Sequence, residues 1–206
     1  MPRRCAGLVL ALVLALASAA CAAGADPSAS PGRPSRDDAR ASLAAQPPVP
    51  TTTPMTTKIR RVYGRLPDPR RNAVRQQVGA VVDRWWDAAF LGGTYPRSRF
   101  PDAFPGFTAS GEQRARADKA LLTNQTRGPR VDSVTATRRS VALDVLATGS
   151  RARTVTAHVV LRFDSTGDKA GTTTVRGRLF LTYKRGAWRI FGYDVAKGSR
   201  LEGTLG

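Results

Sequence analysis

The sequence predicts an α+β domain, with helices toward its N-terminal side packed on an antiparallel sheet of about five strands. Three observations carry the prediction. Between Pro69 and Leu91 the residues Val74, Val78, Val81, Val82, Trp85, Ala88 and Ala89 recur at spacings of three and four, which makes one apolar stripe on a helix. Beyond Pro129 the apolar period changes to two, the signature of strands with one buried face. The most β-prone stretch, Arg178 to Val195, reads as a hairpin turning at Lys184-Arg185-Gly186. In it Leu179, Leu181 and Tyr183 alternate with Phe180, Thr182 and Lys184, and Trp188 and Ile190 alternate with Arg189 and Phe191.

The chain divides into an expected signal peptide (1–20), a disordered tether (21–57) and the folded domain (58–206). Arg3 and Arg4 precede Ala6 to Ala20, an uncharged run rich in Leu, Val and Ala, and small residues follow it. That run is shorter than the roughly 20 apolar residues that span a bilayer. Cys5 would leave with the signal peptide, so Cys21 would be the mature chain's one thiol. Leu16-Ala17-Ser18-Ala19-Ala20-Cys21 resembles a bacterial lipobox, which makes Cys21 the expected lipidation site. Ala17-Ser18-Ala19 also suits ordinary signal peptidase, so a freely secreted form stays open. From Ala22 to about Thr57 the chain is mainly Ala, Pro, Ser, Thr and Gly with scattered charges and no apolar periodicity, and Pro47, Pro48, Pro50 and Pro54 favour extended backbone.

Asp68 is expected to cap the first helix, with Pro69 in its first turn and Gly92-Gly93 ending it. The segment TYPRSRFPDAFPGF follows, where Pro96, Pro101 and Pro105 forbid regular structure and the aromatics imply a loop that packs. A second helix is expected from Ser110 to about Asn124, with Gln113 completing a capping box. Strands are expected near 130–137, 140–148, 153–164, 172–184 and 187–196. Val141, Leu143, Val145 and Ala147 share one face of the second, and Val155, Ala157, Val159, Leu161 and Phe163 one face of the third. The opposite face carries Asp144, His158, Arg162, Arg176 and Arg178.

The net charge of +18 arises from 28 Arg and 5 Lys against 15 acidic residues, and falls to +16 without Arg3 and Arg4. Nucleic acid is not expected as a partner, because the arginines never run beyond two and no recognition motif is present. Arg in place of Lys, with abundant Ala and Gly, fits the coding bias of a G+C-rich genome. The functional alternative is attraction to anionic lipid headgroups or acidic wall polymers through a basic face of Arg162, Arg176 and Arg178.

This order of elements, closed by Gly186-Ala187-Trp188-Arg189-Ile190 in the last hairpin, resembles the NTF2-like (cystatin-like, SnoaL-like) superfamily over residues 69–197. Within it the chain is similar to exported accessory proteins of the Mce-associated type. The resemblance implies a curved sheet forming a cone with the helices. It serves enzymes, binding modules and dimerisation modules alike, so a second copy of the chain also counts among the partners it allows.

Catalytic members of that superfamily place acid–base residues inside the cone. Here His158, the only histidine, shares its side with Thr156 and Arg162 and reads as a surface imidazole. Asp83 and Asp87 lie off the helix stripe and read as solvated. Trp85, Trp86, Phe90, Tyr95, Trp188 and Tyr193 either fill the core or line an apolar pocket at the open end of the cone, with core filling favoured. Ligand sets for a metal, phosphate loops and nucleophile elbows are missing, so neither metal nor cofactor is expected. The expected protein is a non-catalytic envelope lipoprotein on the outer face of the cell membrane, docking an envelope protein or an anionic polymer. The alternative is a small-ligand enzyme of the isomerase or dehydratase kind.

Overall fold

The computed structural model describes residues 53–201; the expected signal peptide, Cys21 and the tether as far as Thr52 lie outside them. The chain runs β1 (Thr56–Tyr63), α1 (Asp68–Trp86), a π-helical turn (Asp87–Leu91), α2 (Ala109–Ala117), α3 (Lys119–Leu122) and a 3-10 turn (Gly128–Arg130). Four long strands follow: β2 (Ser133–Thr148), β3 (Arg151–Thr166), β4 (Gly171–Lys184) and β5 (Ala187–Leu201). The α+β class is as expected. The sheet is curved, does not close, and takes the order β1-β2-β3-β4-β5.

Two strand expectations are corrected. The sheet is mixed, because β1 pairs with β2 in parallel while the other neighbours are antiparallel. Parallel pairing needs a long crossover, and the whole helical segment between Tyr63 and Ser133 supplies it. Residue 58, the expected start of the domain, therefore falls inside β1. The second correction is that the strands expected at 130–137 and 140–148 are one 16-residue strand. A register shift between Ala136 and Arg138 inserts Thr137 as a bulge. Val134 and Ala136 turn toward the core before it, and Arg139, Val141 and Leu143 after it, so the alternation changes phase and imitates a break.

Helix ends differ from expectation by a residue or two. Pro67 occupies the N-cap of α1 without a side-chain bond, and Asp68 opens the first turn, where its charge suits the helix dipole. Gly92 donates its N–H to Asp87 O at 2.7 Å, the widened bond of the π turn, and the helix stops there as expected. Thr108, not Ser110, caps α2: its hydroxyl accepts from the Gly111 N–H at 3.1 Å. Asp118 then separates α2 from α3.

One apolar core joins these elements. Val74, Val78, Val81, Val82, Trp85 and Ala89 of the helix meet Val141, Leu143 and Val145 of β2, the inner face of β3, and Leu179, Leu181, Trp188 and Ile190 of the last hairpin. Phe100, Phe104 and Phe107 are also buried, so the proline-rich loop packs. Gly106 O accepts from the Ile190 N–H and Ile190 O from the Thr108 N–H, both at 2.9 Å, which stitches that loop to β5. At roughly 1.5–3 kcal/mol per large apolar side chain, burial of this set is the main stabilising contribution.

Candidate functional site: the outer sheet face

The residues proposed for a pocket separate into two groups. Trp85, Trp86 and Phe90 have no exposed surface, and Trp85 meets Phe90 and Phe107 edge to face at 5.7 and 6.3 Å. They fill the space between helix and sheet. Tyr95 donates its hydroxyl to Phe90 O at 2.6 Å and accepts from Asn124 Nδ2 at 3.1 Å, and burial raises its pKa. Tyr193 lies on the inner side of β5 against Phe107 and donates to Asp118 Oδ2 at 2.7 Å; burial and that carboxylate push its pKa up to about 12. Trp188 is 3% exposed and belongs both to the core and to a cleft at the hairpin end of the sheet.

Among the described residues one ion cluster reaches the inner face. Arg139 is 7% exposed and pairs with Asp83, with Asp87 Oδ1 at 3.5 Å. Of the two aspartates expected to be solvated, Asp87 is exposed as expected, whereas Asp83 is half-buried against the guanidinium. Asp87 is shifted upward, first by burial and then by the negative charge of Asp83, against the pull of Arg139. A guanidinium does not release its proton in this range, so the cluster is an electrostatic tie between α1 and β2.

The sheet's outer face carries the remaining polar chemistry. Asp144, His158, Arg162, Arg176 and Arg178 all project there, as the alternation predicts. His158 Nε2 lies 3.0 Å from Asp144 Oδ2. Arg60, unanticipated because β1 was not foreseen, donates Nε–H to Asp144 Oδ1 at 2.9 Å and Nη2–H to Oδ2 at 2.5 Å. This contact holds the Asp144 pKa below its usual range, so the carboxylate beside the imidazole is a weakened base. Arg178 is paired in turn with Asp194 at 2.5 Å. Beyond these pairs the face carries Arg138, Arg162, Arg176 and Arg200, with Asp164 beside them accepting from Thr172 Oγ1 at 2.6 Å.

Arg162 and Arg176 line a groove of about 700 Å³ with Arg200, Thr172 and Thr174, and the Lys197 and Ser199 stretch of β5 borders it, the Ser199 hydroxyl meeting Thr173 Oγ1 at 2.9 Å. Arg138 of β2 stands directly opposite Arg162 of β3. Like charges in that position destabilise a strand pair by roughly 0.2–1 kcal/mol, and an anion lying across them removes the penalty. Among the described residues no carboxylate lies within 4 Å of Arg138, Arg162, Arg176 or Arg200. Lys197 donates to Ala120 O and, at 2.7 Å, to Thr123 O, so it binds β5 to the end of α3; burial and the charge of Arg127 lower its pKa to about 8. Two of the three residues expected to form the basic face thus line the groove, and the third is neutralised. Arg138, Arg200 and Lys197 were missed: Arg138 sits beside the bulge, and the last two lie beyond the expected end of β5.

Among the described residues no three His, Cys, Asp or Glu converge at metal-ligand spacing, and no helix is long and apolar enough to cross a membrane. No family model, curated protein or solved structure matches this chain. The functional conclusion therefore rests on the α+β architecture and the groove.

Proposed function

We propose that the chain is an exported protein, anchored through Cys21, whose NTF2-like domain is a non-catalytic docking module that lays its outer sheet face on a phosphate-bearing surface of the cell envelope. The observation that carries the reading is the set of guanidinium groups without an ion-pair partner among the described residues, Arg138, Arg162, Arg176 and Arg200, spread over four adjacent strands. Guanidinium forks bind phosphate oxygens in pairs. The opposite face favours docking over acid–base chemistry: its interior is occupied by Val, Leu, Phe and Trp, and the ion cluster buried there is built on an arginine. The signal-like N-terminus and the long Pro-rich segment would place the domain within reach of lipid headgroups and wall polymers.

Titrating long-chain polyphosphate into the isotopically labelled chain tests the docking face. Amide shifts are expected at 172–176 and 196–200 and on the outer face of β3. Shifts confined to the helices would refute it.

A further inference from the structure

The end of the domain away from the groove holds a cleft that plays no part in the docking surface. Two tight turns build that end. Thr148 and Arg151 pair across Gly149-Ser150, with φ of 57° and 59°, and Lys184 and Ala187 pair across Arg185-Gly186, with φ of 52° and 80°. Positive φ at both central residues defines the hairpin turn whose twist matches the strands, and Gly meets that demand at one position of each. The β2–β3 and β4–β5 turns are alternate turns of the antiparallel run, so both tips fall at one end of the sheet. The first turns of α1 pack over that end, where Arg70 donates to Ser150 O.

Between helix and hairpins lies a cleft of about 370 Å³, within the roughly 300–1,000 Å³ typical of small-molecule sites. Its floor is apolar: Ala73 and Val74 from α1, Ala152 from β3, and Tyr183 and Trp188 from the last hairpin. Tyr183 meets Trp188 edge to face at 5.5 Å, yet stays 50% exposed, an aromatic wall left facing open space. Three guanidinium groups, from Arg70, Arg151 and Arg153, line the same cleft. Among the described residues none of the three has a carboxylate within 4 Å, and the bond from Arg70 to Ser150 O leaves its charge uncompensated.

We propose that this cleft binds an anionic amphiphile, an apolar chain or ring that ends in a single carboxylate or phosphate. The apolar body would cover the Tyr183 and Trp188 wall, while the head would neutralise a rim whose three like charges otherwise repel one another. The outer groove is lined by guanidinium groups without an aromatic floor, so it suits a polyanion without an apolar body. The two sites call for different ligands.

Displacement of a dansylated fatty acid from the full chain, followed by dansyl fluorescence, tests the assignment. Dodecanoate or dodecyl phosphate is expected to displace the dye, the tighter of the two identifying the head group, and dodecanol to compete at least about tenfold more weakly. Arg151→Ser combined with Arg153→Ser should weaken dodecanoate about tenfold, and Ala73→Leu, which fills the floor, should weaken all three competitors. Arg162→Ser with Arg176→Ser, in the outer groove, should leave displacement of the dye by dodecanoate as in wild type, and unaltered melting of each variant shows that the fold is intact. Equal competition by dodecanol, or unchanged binding in both cleft variants, would overturn the proposal.

Discussion

Arg139 shows how one side chain ties a helix to the sheet. With 6% of its side chain exposed, it depends on Asp83, which is one-third exposed, and more distantly on Asp87. Asp83→Ala would strand the guanidinium and is expected to cost about 3 kcal/mol in urea unfolding. Arg139→Met should cost less, since it removes the buried charge itself; the reverse order would show that the pair is not the tie described. Gly177 is a second sensitive position. It sits at φ 148° in the middle of β4, and a Cβ there would lie 2.1 Å from Asp194 O, so Gly177→Ala should destabilise by about 2–3 kcal/mol. Lys197 gives a pH dependence. Below pH 8 its amine is charged in the folded and unfolded chains alike, and the burial penalty is fully present. Between about 8 and the unfolded value of 10.5 the folded chain sheds the proton that the unfolded chain keeps, so this contribution to stability rises with pH. The stability difference between wild type and Lys197→Met should therefore shift in favour of wild type across that window, and a flat difference would contradict the assignment.

Among the elements, β1 was illegible and the later strands were not. Val155 to Phe163 alternate without a fault and are buried at every second position, so sequence and structure coincide there. In β1 only Ile59 and Val62 reach the core, and the register shift between Ile59 and Arg61 breaks their period. The segment lacks the pattern by which a strand is recognised, and its place is fixed by β2 and by α1. Gly79 matters here, since a Cβ would lie 3.0 Å from Thr57 Oγ1 and 3.3 Å from Met55 Cε. Thr53 adds a hydroxyl bond to Ala136 O at 2.5 Å. A chain starting at Lys58 loses that bond and the Thr56 and Thr57 pairings, and should melt several degrees below one starting at Pro50. Equal melting temperatures would mean that the first turns of β1 contribute nothing. The basic face was legible for the same reason as β3: Arg162 and Arg176 obey alternation. Arg138 was hidden by the bulge, and the neutralisation of Arg178 by Asp194 follows from a cross-strand register that turn chemistry alone does not fix.

At the scale of the molecule the charge is strongly one-signed, and the fold gathers part of it on one side of an open sheet whose other side is filled. Anchoring and docking are separable claims. Incorporation of labelled palmitate into wild type but not into Cys21→Ala is the expected result for the anchor, and equal labelling, or none in either, would remove it. Docking is tested most directly by the affinity of the full chain for long-chain polyphosphate, measured at low and physiological salt for wild type and for Arg162→Glu combined with Arg176→Glu. Charge-mediated docking predicts tight binding that weakens steeply as salt rises, and a loss of at least about tenfold in the double variant at low salt. Equal affinity of the two proteins, or binding indifferent to salt, would contradict it.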